Sequence, residues 1–247
     1  SSFSIIGGQK IDRYSIYADR KRHLAKEWNL GYGISYRFAK DRDFQTYDKV
    51  TGDIPTENTD SRLREQTANF YVSLSRNYAT GTSVSVSATG EYYTIGGYRK
   101  WAVYPQASLT YVKSPKHLFQ LSLSTDKTYP GYWDMQSSVS HLNGYTELWG
   151  TPGLKPSTTY NLNGNYIWKQ KYIFGLFFMH TSDFFVQTGY QSTDRLALIY
   201  KNTNWNYMQM WGANIILPFK AGNWLDSRLT LVGMQVPVSY THLTLPT

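Results

Sequence analysis

Apolar and polar residues alternate one by one over residues 28–38. Trp28, Leu30, Tyr32, Ile34, Tyr36 and Phe38 take one phase; Asn29, Gly31, Gly33, Ser35 and Arg37 take the other. A helix would scatter these six large side chains around its circumference, whereas a strand puts them all on one face. The period of two recurs at 66–77, where Ala68, Phe70, Val72 and Leu74 oppose Asn69, Tyr71, Ser73 and Ser75. It recurs again at 82–95, 117–128, 157–168 and 224–235, and less regularly at 12–19 and 101–113. The run 172–188 is apolar on both phases at 174–179. The run 196–219 is too long for one ideal strand and is expected to bend near 202–206. Ten strands are predicted.

The segments between them differ in length by end. Short turns stand at 79–81, 114–116, 169–171 and 221–223, with a longer one at 20–26. The other end carries polar loops at 40–65 and 129–156, a shorter one at 191–195 and a tip at 96–100. Aromatic residues gather beside the short turns: Trp28, Tyr78, Tyr111, Phe119, Trp168, Tyr172, Phe219 and Trp224. Segregated loop lengths and an aromatic row at one height are the marks of a barrel wall crossing a lipid bilayer. A soluble β-sandwich accounts for the alternation but not for either asymmetry. The fold class read here is all-β: an antiparallel up-and-down transmembrane β-barrel, present in part, as about ten strands of a larger barrel.

Composition agrees. The chain is 41% hydrophobic and 17% aromatic, with 22 Tyr and 8 Trp, a balance suited to a wall that is apolar on one side only. Apolar runs are too short for a membrane-spanning helix. Cysteine is absent, so thiolate metal sites and disulfides are excluded. The net charge is +8, but the basic residues sit in turns (Arg20, Lys21, Arg22; Lys113, Lys116; Lys169, Lys171) and form no stripe, which argues against nucleic acid. The chain opens at Ser1 with no secretory leader and reads as a piece of an exported protein. Residues 1–236 are taken as the barrel portion. The tail 237–247 breaks the alternation and is read as non-native.

Three runs resemble a known family: Tyr104-Pro-Gln-Ala-Ser-Leu-Thr-Tyr111, Thr128-Tyr-Pro-Gly-Tyr-Trp-Asp134 and Gly150-Thr-Pro-Gly-Leu-Lys-Pro156, with Asn202 and Gly212 as further landmarks. They are similar to the barrel domain of TonB-dependent outer-membrane receptors, in the outer membrane protein beta-barrel family, over residues 10–235. Tyr129-Pro130 departs from the family's Arg-Pro. The resemblance implies a Gram-negative outer membrane and energy-coupled import of a siderophore, cobalamin or glycan. The implied partners are outer-membrane lipid, an N-terminal plug domain and the TonB system (neither visible in this chain), and a surface lipoprotein. A complete small barrel acting as a passive pore or adhesin is the alternative.

Candidate chemistry is confined to the loops and the polar phase. Tyr129, Tyr132, Trp133, Asp134, Tyr145, Glu147 and Trp149 crowd the long loop. They are candidate ligand contacts, since aromatic faces stack on sugars or apolar ligands; packing of the loop over the barrel mouth is the competing reading. Arg37, Glu91, Asn161, Asn163, Asn165 and Arg228 are expected to face the lumen. Asp134, Ser137, Ser138, Ser140 and His141 offer hydrolase residue types, but no Gly-x-Ser-x-Gly or His-Glu-x-x-His frames them. No enzyme, cofactor or metal site is expected.

Overall fold

All ten predicted strands form, and most run further than their alternation suggests. The structure, a computed structural model, describes residues 2–51, 58–222 and 224–239. The wall strands are β1 (Ser2–His23), β2 (Trp28–Thr51), β3 (Thr59–Asn77), β4 (Ser83–Ile95), β5 (Tyr98–Ser114) and β6 (His117–Thr128). The long loop then contributes a small hairpin, β7 (Val139–Asn143) and β8 (Thr146–Trp149). The wall resumes with β9 (Ser157–Trp168), β10 (Tyr172–Gln191), β11 (Leu198–Ala221) and β12 (Leu225–Gln235), and a two-residue β13 (Val238–Ser239) follows. Each wall strand pairs antiparallel with the next, β6 with β9 across the loop. Among the described residues β1 pairs only with β2 and β12 only with β11, so the ten strands do not close on themselves and the small complete barrel is not what forms. Residues 240–247, most of the tail read as non-native, lie outside the described residues.

The predicted 40–65 loop is corrected. Strand β2 continues to Thr51 and β3 begins at Thr59, with Arg42 opposite Arg62 and Gln45 opposite Thr59 in an unbroken ladder. Backbone pairing needs no apolar side chains, so a strand that projects past the bilayer can be polar on both faces. The bend expected at 202–206 reduces to one interruption. Asp183, at φ 51°, and Asn206 opposite it drop out of the ladder between the pairs Ser182 with Tyr207 and Phe184 with Trp205, and the register is kept.

One face of the sheet is bare and apolar. Phe70 is 56% exposed, Leu162 42% and Leu176 69%, with no second layer over them. The soluble sandwich is therefore excluded. On this outer face, near the short turns, Tyr111, Phe119, Tyr166 and Phe174 stack in series at centroid distances of 6.3, 4.9 and 6.1 Å. The other face carries the long loop. There Tyr93, Ile95, Met135 and Leu154 form the buried cluster, flanked by Leu63, Tyr98, Tyr129, Tyr132 and Phe185.

That loop also shows how far the sheet curls. β8 runs parallel to β11, Leu198 beside Thr146, while the backbone oxygen of Val139 in β7 accepts from Tyr47 Oη of β2 at 3.0 Å. Strands β2 and β11 stand seven steps apart along the sheet, roughly 34 Å at the usual strand spacing. A two-stranded hairpin and a tyrosine bridge the gap, so the wall has curved around the loop.

Candidate functional site

The mouth of the curved wall is built around two inner-face carboxylates, Glu91 on β4 and Glu65 on β3. Lys127 Nζ donates to Glu91 Oε1, and both side chains are more than nine-tenths buried. Tyr104 Oη donates to Glu91 Oε1 at 3.3 Å and Tyr129 Oη to Glu91 Oε2 at 2.5 Å. The Lys127 ammonium also lies over the rings of Tyr93 at 4.3 Å and Tyr129 at 4.6 Å. Charge pairing, hydrogen bonds and ring faces together replace the water that this lysine has lost.

Lys127 reaches Glu91 because β5 and β6 part above Ala107 and Leu123, their last pair at that end. Two positions on, the register would bring Pro105 opposite Thr125. An antiparallel pair exchanges two N–H bonds, and proline has none to give. Thr125 instead donates its hydroxyl to the Pro105 carbonyl at 2.6 Å. The tyrosine-proline run singled out in the sequence thus ends a ladder and frees the top of β6 to turn inward.

Glu65 accepts from Tyr132 Oη and, at 3.4 Å, from Arg37 Nη2. Arg37 in turn lies over the Tyr129 ring at 5.5 Å. Burial and the adjoining Glu65 carboxylate push the Tyr132 phenol up to about 12, and burial and Glu91 raise that of Tyr129. Both therefore stay protonated as donors. Further out on β2, past the apolar band, Gln136 Nε2 donates to Asp43 and Ser140 Oγ to Gln45. Burial raises the Asp43 carboxyl above its ordinary value, against the opposing Gln136 bond.

The 150–156 run clamps the base of the loop to β11. Thr151 Oγ1 donates to the Asn202 carbonyl at 2.6 Å, and Lys155 N to Asn204 Oδ1 at 2.8 Å. Asn202 Nδ2 donates to Asp134 Oδ1 at 2.9 Å. Leu154 is buried in the core cluster. Gly150 lies so close to the Gln136 backbone that a Cβ would stand 2.0 Å from its oxygen. Gly150→Ala is accordingly expected to undock the loop. Limited proteolysis should cut the variant within 129–156 at least about tenfold faster than the parent, the effect of a docking loss of about 1.4 kcal/mol or more.

The seven candidate ligand contacts are divided by this arrangement. Tyr129 and Tyr132 point into the wall, Asp134 binds Asn202, and Glu147 accepts from Arg195 Nη2 and from Trp149 Nε1 at 2.6 and 2.8 Å. Tyr145 (66% exposed), Trp133 and Trp149 present ring surface outward. Arg37, Glu91, Asn161, Asn163 and Asn165 share the face that holds the loop. Arg228 has the same facing, opposite Pro218, but stays exposed on the edge strand. The hydrolase residue types are taken up in packing: Ser138 binds Gln136, Ser140 binds Gln45, and His141 sits between Tyr47 at 3.0 Å and Glu147 at 3.5 Å. Sequence reasoning missed Glu65, Lys127 and Tyr104. Their only signal is a charge or hydroxyl on an otherwise regular strand.

Solved structures share this wall. The siderophore receptor PirA from Pseudomonas aeruginosa superposes with a TM-score of 0.64 at 12% identity, covering 93% of this chain and 44% of that one. The copper transporter OprC gives 0.59 at 13% identity over 93% and 39%. The FrpB iron transporter from Neisseria meningitidis gives 0.56 at 11% over 95% and 37%. The chain thus spans less than half the length of these proteins. No curated protein matches it in sequence. A bare apolar outer face, a polar inner face bridged by one loop and a family model matching residues 3–242 lead to one assignment: the chain belongs to the outer membrane protein beta-barrel family and is part of a barrel wall in the outer membrane.

Proposed function

We propose that the chain supplies wall and outer loops to a TonB-dependent receptor that imports a scarce ligand. A siderophore is the first choice among the siderophore, cobalamin and glycan classes. The observation that carries this reading is the 129–156 loop. It is fixed to β2, β3, β4 and β11 at once, and so lies across the mouth instead of standing clear of it. A passive pore gains nothing from an obstructed mouth, whereas a receptor needs a surface that holds ligand before release inward. Names of structural neighbours, siderophore receptors and metal transporters among them, favour the siderophore class. The plug, the TonB contacts and a surface lipoprotein partner belong to the same proposal. No catalytic step is assigned to the chain.

In cells carrying the whole gene, uptake of a ferric siderophore is expected to stop when the proton-motive force is collapsed. Uptake that persists would mark a pore. Replacing Trp133 and Trp149 together by Ala is expected to weaken ligand binding about tenfold or more, since each exposed ring offers stacking surface. Membrane insertion should be unchanged. Unaltered binding would remove these two residues from the ligand surface.

A further inference from the structure

The net charge of +8 is not spread over the molecule. The five short turns with the strand ends that flank them, 19–28, 76–82, 113–117, 168–172 and 220–226, hold ten Lys and Arg against three Asp and Glu, which is +7 of that total. The import reading makes no use of this charge, and the turns are too short to reach a ligand at the opposite mouth.

Two of these turns form one platform. Strand β6 pairs with β9, and the turns meet where Lys169 N donates to the Lys116 carbonyl at 2.7 Å. Lys113, Lys116, Lys169 and Lys171 are all exposed there, and among the described residues none of them is ion-paired. Lys169 Nζ lies over the Trp168 ring at 4.4 Å, which draws the charge toward the outer, lipid-facing side. Between the stacked rings near the short turns and the aliphatic residues above them, the outer face sinks into a groove of about 580 Å³ lined by Phe119, Leu121, Tyr166, Phe174 and Leu176. Its floor is Gly164, between Leu121 and Leu176, where no side chain fills the middle of the sheet. From Gly164 to Lys169 is roughly 17 Å along an extended strand, close to the span from phosphate to mid-chain in a phospholipid.

We propose that this patch is a binding site for an anionic phospholipid of the periplasmic leaflet. The lysine platform holds the headgroup phosphate and the Gly164 groove seats an acyl chain. Short turns of outer-membrane barrels face the periplasm, where the adjoining leaflet supplies such lipids. Charge decides the occupant. A zwitterionic headgroup adds an ammonium that four unpaired lysines repel, whereas phosphatidylglycerol leaves its phosphate charge unopposed. The proposal rests on membrane embedding alone and survives if the import reading fails.

The test uses the protein purified from membranes, stripped of lipid and titrated with phosphatidylglycerol or phosphatidylethanolamine of identical chains, with bound lipid counted by native mass spectrometry. Phosphatidylglycerol should bind at least about tenfold more tightly than phosphatidylethanolamine, and its binding should fall steeply with salt. Replacing the four lysines by Gln should remove that preference, while Arg62→Gln with Arg64→Gln at the opposite end should not. A Cβ at Gly164 meets only Leu121 Cδ1, at 3.8 Å, so Gly164→Leu fits and should fill the groove. It is expected to weaken binding of both lipids with the lysines intact. Equal affinity for the two lipids, or salt-insensitive binding by the parent protein, overturns the proposal even if the four-lysine variant fails to insert.

Discussion

Glu91→Ala is expected to cost about 3–5 kcal/mol and to release the loop from the mouth, because it breaks a buried ion pair from one side only. Removing the carboxylate leaves the Lys127 ammonium enclosed by Tyr93, Tyr104 and Tyr129 without its ion-pair partner, with only the more distant Glu65 carboxylate to oppose its charge. It also takes the acceptor from two phenols. Glu91→Gln keeps an acceptor for Tyr129 and isolates the charge component, so it should fall between Ala and the parent. Replacing the pair together, Glu91→Leu with Lys127→Met, should recover the part of the loss due to the isolated charge, because two apolar side chains need no counter-ion, and leave the part due to the two phenols that have lost their acceptor. Denaturant unfolding of the purified barrel reads the stability, and protease cleavage within 129–156 reads the docking. If Glu91→Ala alone falls within 1 kcal/mol of the parent, water reaches Lys127 and the mouth is not sealed as described.

The wall was legible in the sequence because one of its faces meets a uniform medium. Along 28–38 every second residue must be apolar whatever lies on the other side, and that demand shows as a period of two. Strand β2 beyond Phe38 shows the limit of the signal. Lys40 and Arg42 leave the apolar band on the outside while Asp41, Asp43 and Gln45 line the inside. With both phases polar, a strand has the composition of a loop. The inner partners are also remote: Asp43 Oδ2 accepts from Gln136, and Glu65 from Tyr132, both on a loop far along the chain. No local pattern records such pairings, and an aromatic residue that stacks on a ligand looks the same in sequence as one that donates to a buried carboxylate. Tyr129 and Trp133 sit in the same aromatic-rich loop, yet the fold turns one toward the wall and the other outward.

Facing itself is testable by charge. Leu176→Lys should destabilise the barrel in a bilayer by about 2–4 kcal/mol, the cost of a cation near the midplane of the lipid-facing side. Leu176 stands on the outer face beside Gly164 and Ala213, four residues above Tyr172 in the aromatic row. At the usual rise and tilt that is roughly 10 Å into the hydrocarbon, too deep for a lysine to reach the interface without strain. Asn163→Lys, one residue from Gly164 on the adjacent strand but on the opposite face, puts the same charge toward the polar interior and should cost under about 1 kcal/mol. The two substitutions add the same side chain at nearly the same height, so the difference between them isolates the medium on each side of the sheet. Unfolding free energies measured in lipid vesicles supply that difference. Equal costs for the two lysines would mean that the apolar face does not meet lipid, and the membrane assignment would fail with it.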